Sequence, residues 1–171
     1  MSSEIRIYVA DLTAYNNGIL HGLWIDATKD IKDVLADVQA MLAYSPKENA
    51  EEYAIHNYEG FGTVELSEYG SLQSIHEKAI FIQEYGEIGA KLLAHCCCDI
   101  ETAQKAIEEH YQGKHISLAD YAQRFTEDTS EVPKHLEFYI DYERMGRDWE
   151  MLSDIYTIET AHDEVHVFWN H

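Results

Sequence analysis

The chain has 171 residues, with 32 Asp and Glu against 12 Lys and Arg, giving a formal charge of −20 at pH 7 and an isoelectric point near 4.6. So acidic a chain lacks the Lys and Arg that displace counterions from DNA or RNA phosphates, and the basic segments that an anionic membrane leaflet attracts. Disorder is excluded by the rest of the composition: 46% of residues are hydrophobic, 12% are aromatic and two are proline, so a core can be buried.

The length suits one domain or two to three small modules. No apolar run approaches the roughly 18 residues of a membrane span. Met1 to Asp11 shows no basic region followed by an apolar stretch, so no signal peptide is expected. The cysteines form one run, Cys96-Cys97-Cys98, which cannot make the long-range bridges of a secreted scaffold and points to a reducing cytosol.

In chain order, Ile5, Ile7 and Val9 alternate with Arg6, Tyr8 and Ala10, which predicts a strand. Asn16-Asn17-Gly18 supplies the positive φ angles of a tight hairpin turn, and Ile19 to Ile25 reads as the returning strand with Trp24 as its anchor. From Asp30, a capping residue, Ile31, Val34, Leu35, Val38 and Leu42 form a helical stripe that Pro46 ends. Glu52 to Tyr58 is a third strand, followed by the flexible Glu59-Gly60-Phe61-Gly62. A helix starts at Ser71 or at Ser74, the latter forming a capping box with Glu77, and carries Leu72, Ile75, Ala79 and Ile82 to a stop at Gly86. Glu87 to Cys98 is a second helix, and Ile100 to Gln112 a third, capped by Asp99 and closed by Gly113. Ser117 and Asp120 open a short helix with Leu118, Tyr121, Ala122 and Phe125, and Pro133 begins a longer one reaching Met151. Strands at Asp154–Glu159 and Glu164–Trp169 close the chain around an Ala161-His162-Asp163 turn. There is no internal repeat. The expectation is an α+β fold in three modules: 1–61 α+β, 62–103 mainly helical, and 104–171 α+β.

The negative charge covers every part of the chain. Residues 1–60 hold ten acids and four bases, 61–98 five and two, and 99–171 seventeen and six. Asp30, Asp33 and Asp37 fall on one helical face, as do Glu137, Asp141 and Asp148. One such stripe, with members about 5–6 Å apart along the axis, is too sparse to imitate a duplex that carries a charge about every 1.7 Å. Several side by side could do it. Taken singly, each stripe reads as a solvated face, but solubility needs a net charge of only about 2–8. A charge of −20 calls for a basic partner or for metal loading.

No catalytic or metal-binding constellation stands out. His95-Cys96-Cys97-Cys98 lacks the two-to-four-residue spacing of a structural zinc site, and three consecutive cysteines on a helix diverge by about 100°. They read as small buried hydrophobes. His162-Asp163-Glu164-Val165-His166 has Asp where the zinc-protease signature has Glu, and lies on a turn rather than a helix. Calcium loops, dinucleotide and phosphate loops and nucleophile elbows are absent. Adjacent pairs such as Glu51/Glu52 and Glu108/Glu109 diverge and make poor acid/base dyads. No metal, no cofactor and no enzymatic activity are expected. Twelve tyrosines, Tyr8, Tyr15, Tyr53 and Tyr58 among them, suit a core and also an interface.

A set of short blocks resembles the ArdA antirestriction proteins over nearly the whole chain. They are Ile7-Tyr8-Val9-Ala10, Tyr15-Asn16-Asn17-Gly18, Gly22-Leu23-Trp24, Tyr58-Glu59-Gly60-Phe61 and Ser67-Glu68-Tyr69-Gly70-Ser71-Leu72. The strongest block, Val132-Pro133 with Leu136, Tyr139-Ile140-Asp141-Tyr142 and Gly146-Arg147-Asp148, matches that family's antirestriction motif. The cysteine run has no counterpart in the family pattern, and Asn57 stands where many members carry an acid.

The resemblance implies an elongated, curved homodimer of three-module chains, joined through the C-terminal part. Its carboxylates would imitate the phosphates of bent duplex DNA in the groove formed by the specificity and methyltransferase subunits of type I restriction-modification enzymes. It also implies the cytoplasm of a bacterial host entered by a conjugative plasmid or transposon. On this reading the mimic surface includes Asp30, Asp33, Asp37, Glu108, Glu109, Glu127, Asp128, Glu137, Asp141 and Asp148. The dimer contact is expected over Lys114, Ile116, Leu118, Tyr121 and Phe125, although base rates favour the core for the helical stripe that the last three share. An acidic metal-dependent hydrolase and a general acidic protein with basic clients are the alternatives. Whether the carboxylates converge or spread separates the first of these from the mimic.

Overall fold

The computed structural model describes residues 4–170. It is an α+β fold, 49% helical and 22% strand. The chain divides into two compact units, residues 1–100 and 101–171.

In the first unit, β1 (Arg6–Asp11) is the centre of a three-stranded sheet of order β2-β1-β3, with β2 at Gly22–Asp26 and β3 at Tyr53–Glu59. Both pairings are antiparallel, with Ile7 opposite Ile25 and Tyr58, and Tyr8 opposite Trp24 and Asn57. The tight Asn-Gly hairpin does not form. Asp11 acts as a helix cap instead, its Oδ1 accepting the Ala14 N–H at 3.1 Å, so Leu12–Asn16 makes one helical turn (α1). Gly18, at φ 76°, lies just past that turn, and its N–H bonds to Tyr15 O at 2.9 Å.

The helix α2 (Ile31–Ala43), capped by Asp30, buries Val34, Val38, Met41 and Leu42 beside the sheet. Leu35, expected on that stripe, is 44% exposed. The next helix, α3 (Leu72–His95), is capped by Ser71 rather than Ser74. It breaks at Gly86 (φ 67°, ψ −143°), the residue read as a stop. Leu72, Ile75, Ala79 and Ile82 are buried as their spacing requires, and Leu92 and Leu93 are fully buried beyond the break. The helix ends at His95, so the cysteines lie in a turn rather than on a helix. Cys97 is exposed and its neighbours are half-buried, which corrects their reading as core residues.

The second unit carries an antiparallel sheet of order β4-β6-β5: Tyr111–His115, Glu164–Trp169 and Ile155–Ala161. The helix expected to run to Gln112 gives way earlier. Its regular part, α4, covers Ile100–Lys105, a π-helical turn follows at Ala106–His110, and the chain then enters β4. Gly113, at φ 93°, sits where the β4–β6 register shifts between Tyr111 and Lys114. α5 (Leu118–Thr129) is capped by Ser117, whose Oγ accepts the Asp120 N–H at 3.1 Å. The long helix expected from Pro133 is two pieces, a 3₁₀ segment at Lys134–Tyr139 and α6 at Tyr142–Met151. The break comes at Ile140, because Asp141 caps α6 with an Oδ1 that accepts the Arg144 N–H at 3.0 Å.

Candidate functional site

Most of the carboxylates lie at the surface. All 32 carboxylates fall among the described residues: 27 are exposed, Asp37, Asp120, Asp154 and Glu164 are half-buried, and Asp11 is buried. Each unit holds 16 acids and 6 bases, a net −10 on each.

Helix packing sets which way the acids of the second unit face. On α6, Tyr142, Met145, Gly146 and Trp149 recur at i, i+3, i+4 and i+7 and turn inward, with Gly146 buried against Leu118 of α5. Glu143, Asp148 and Glu150 are left exposed on the other side. On α5, Leu118, Tyr121, Ala122 and Phe125 take the inner face by the same periodicity, leaving Glu127 and Asp128 exposed. From Glu127 to Asp154 nine acids stand against Lys134, Arg144 and Arg147. This stretch, which contains the Val132–Tyr142 block, is a candidate anionic surface.

The individual carboxylates are held in different ways. Glu127 and Glu108 each accept a hydrogen bond from a glutamine one turn earlier, Gln123 and Gln104, both at 3.0 Å. Gln73 does the same for Glu77 at 3.0 Å. A neutral amide orients the carboxylate while leaving its charge intact, which a lysine at the same spacing would not do. Glu109, by contrast, lies 4.0 Å from Lys105, and Asp37 is ion-paired to Lys29. Asp30 and Asp141 cap helices, so part of their field is spent on the positive N-terminal ends. Asp33 is exposed on α2. Glu137 belongs to the 3₁₀ segment, so Glu137, Asp141 and Asp148 do not share one helical face as expected.

In the motif block, Val132 and Tyr142 are half-buried and Pro133 is exposed. Leu136 is 45%, Phe138 94% and Tyr139 84% exposed. Of Leu118, Tyr121 and Phe125, expected at a dimer contact, the first and last are half-buried and Tyr121 is buried. Tyr121 is 4% exposed and forms the unit's core with Ile155, Val165 and Val167, and Leu118, Phe125, Trp149 and Trp169 pack against it. Its hydroxyl accepts the Trp169 Nε1–H at 3.0 Å. A ring this enclosed has no face left for a partner. Lys114, exposed, pairs with Glu164 at 3.2 Å, and Ile116 is 60% exposed.

A polar chain that residue spacing does not reveal runs over the other face of this sheet. Glu164 can only accept, so the Thr160 hydroxyl donates to its Oε2 at 3.0 Å. His166 must then donate Nε2–H to Thr160 Oγ1 at 3.0 Å, and its Nδ1 accepts the Tyr111 hydroxyl at 2.6 Å. Burial holds the His166 pKa below the usual histidine value, with Glu164 opposing and Lys114 and His115 adding to the shift. The hydrogen bonds from Thr160 and Lys114 hold the Glu164 carboxyl below its ordinary range. Burial raises the Tyr111 phenol. These residues come from two separate stretches, 111–115 and 160–166, and only the pairing of β4 with β6 brings the two together.

Among the described residues, no three His, Cys, Asp or Glu side chains come together in a way that could hold a metal ion. No described helix is long and apolar enough to cross a membrane. Compared with known proteins, the chain matches the family model of the antirestriction protein (ArdA) over residues 7–164. None of the curated proteins compared with it matches.

Proposed function

The chain belongs to the ArdA antirestriction protein family, and on that footing we propose that it blocks type I restriction-modification enzymes by standing in for duplex DNA. Proteins of this family act against restriction enzymes. The observation that carries the mimicry reading is the placement of charge. Twenty-seven carboxylates are exposed, on both units, and they spread rather than converge. A groove built to neutralise DNA phosphates with Lys and Arg meets the same field here, and releases its own bound anions as the carboxylates arrive.

The proposed mechanism is competitive occupancy of the groove shared by the specificity and methyltransferase subunits, in the cytoplasm of a bacterial host, with no bond made or broken. Helix faces present the carboxylates, Gln104 and Gln123 steer Glu108 and Glu127, and the α5–α6 packing keeps the acids between Glu127 and Asp154 outward. A homodimer extends the anionic surface. Two chains of −20 each repel, so their contact needs an apolar patch. Ile116, Leu136, Phe138 and Tyr139 supply exposed apolar groups in the second unit.

The test is competition between this protein and a duplex carrying the recognition site for a purified type I methyltransferase core. Mimicry predicts that the apparent Kd for DNA rises in proportion to the protein added. An unchanged DNA affinity alongside blocked cleavage would overturn it.

A further inference from the structure

All three cysteines of the chain stand in the turn that leads from α3 into α4. Cys96 is the C-cap of α3, and Cys97 and Cys98 follow in the left-handed region, at φ 56° and 65°. Backbone bonds pin the turn: Cys97 N–H to Ala94 O at 3.3 Å, Cys98 N–H to Leu93 O at 2.7 Å, and Asp99 N–H to Cys96 O at 3.1 Å. Leu93, which receives one of them, is fully buried. The turn is therefore tied to the core of the first unit, while Cys97 is exposed and Cys98 half-buried.

We propose that Cys97 and Cys98 form a dithiol site for a monosubstituted trivalent arsenical, or a compound of the same thiophilic chemistry, which bridges the two sulfurs. Cys97 and Cys98 are joined by a trans peptide, which sets their Cα atoms about 3.8 Å apart. That is shorter than the roughly 4.4 Å at which disulfide geometry begins, so the pair resists closing on itself and keeps both thiols available. An arsenic atom between the sulfurs removes the conflict, because it replaces one short S–S bond by two longer As–S bonds. Such a ligand needs two thiols only, consistent with the absence, among the described residues, of a three-donor group for a metal ion. In the reaction the hydrated arsenical R–As(OH)₂ exchanges both oxygens for sulfurs. Two As–O and two S–H bonds break, two As–S bonds form and two waters leave, with arsenic trivalent throughout. Burial first, and then Asp99 and Cys97, raise the Cys96 thiol pKa and so reduce its thiolate fraction at neutral pH.

Phenylarsine oxide titrated into the full-length protein tests this, read by intact mass and by counting free thiols. The expected result is one equivalent bound and a fall from three titratable thiols to one. Cys96→Ser should retain the affinity, and Cys97→Ser and Cys98→Ser should each lose about 100-fold or more, since the second As–S bond forms at high effective concentration. Failure of the wild type to bind, a loss below tenfold in either variant, or a larger loss in Cys96→Ser would overturn the assignment.

Discussion

Asp141 carries two roles that a pair of substitutions separates. Its Oδ1 caps α6 through the Arg144 N–H, and its charge belongs to the anionic surface. Asn keeps the cap and removes the charge, whereas Ala removes both. Loss of an N-cap to Ala costs about 1 kcal/mol, within a range of roughly 0.5–2, while Asn caps about as well as Asp. The second unit covers residues 101–171, and at about 2.1 cal/mol/K per residue its unfolding entropy is about 150 cal/mol/K. Asp141→Ala should then lower its Tm by about 7 °C, and Asp141→Asn by no more than about 2 °C. Each removes a single negative charge from a chain of −20. An exposed ion pair is worth about 0.2–1 kcal/mol, so each variant should weaken competition with DNA by no more than about fivefold. Calorimetry and the competition assay report the two roles separately. A Tm loss in Asp141→Asn equal to that in Asp141→Ala would refute the capping argument. Abolished inhibition by folded Asp141→Asn would refute an imitation spread over many carboxylates.

Other consequences follow from the second unit's packing. His166 has a folded-state pKa below its unfolded value near 6.5, so the unfolded chain binds more protons as pH falls through 6.5 and stability drops. Below about pH 6.5 stability should fall more steeply with decreasing pH in the wild type than in His166→Gln, and equal slopes would contradict the buried Thr160–His166–Tyr111 chain. A Cβ on Gly146 would lie 2.7 Å from Leu118 Cγ, so Gly146→Ala should cost about 1–3 kcal/mol in denaturant titrations, and a neutral result would mean the α5–α6 contact is loose. Phe138, 94% exposed, should convert a dimer to a folded monomer as Phe138→Asp, its Tm falling only by the lost dimer stabilisation, whereas Tyr121→Asp should unfold the unit. Sedimentation and melting of both decide it, and a monomeric wild type would remove the dimer from the proposal.

Legibility in the sequence followed the range of the interactions. The inner face of α5 was readable because Leu118, Tyr121, Ala122 and Phe125 repeat at helical spacing; its partner was not, since periodicity says that a face is covered and not by what. Asn16-Asn17-Gly18 misled because Asp11, five residues earlier, captures the chain into a helical turn before the Asn-Gly pair can close a hairpin. The strand Tyr111–His115 carries no apolar alternation, and it becomes a strand only by pairing with β6. Asp141 is legible as an acid but not as a cap, so two helical segments read as one. For the candidate surface, residue type was enough to place acids outside. Which of them are steered by Gln, paired with Lys or spent on a helix end depended on neighbours a turn or more away.

The central claim, that exposed carboxylates replace DNA phosphates in the enzyme's groove, is tested most directly by salt. Affinity for a type I methyltransferase core should be measured between about 50 and 200 mM salt for this protein and for a duplex of the recognition site. If the protein engages the groove through six to ten phosphate-like contacts, log K should fall linearly with log salt and affinity should drop by about 10³-fold or more, in parallel with DNA. An affinity that hardly moves over that range while DNA binding collapses would contradict phosphate mimicry.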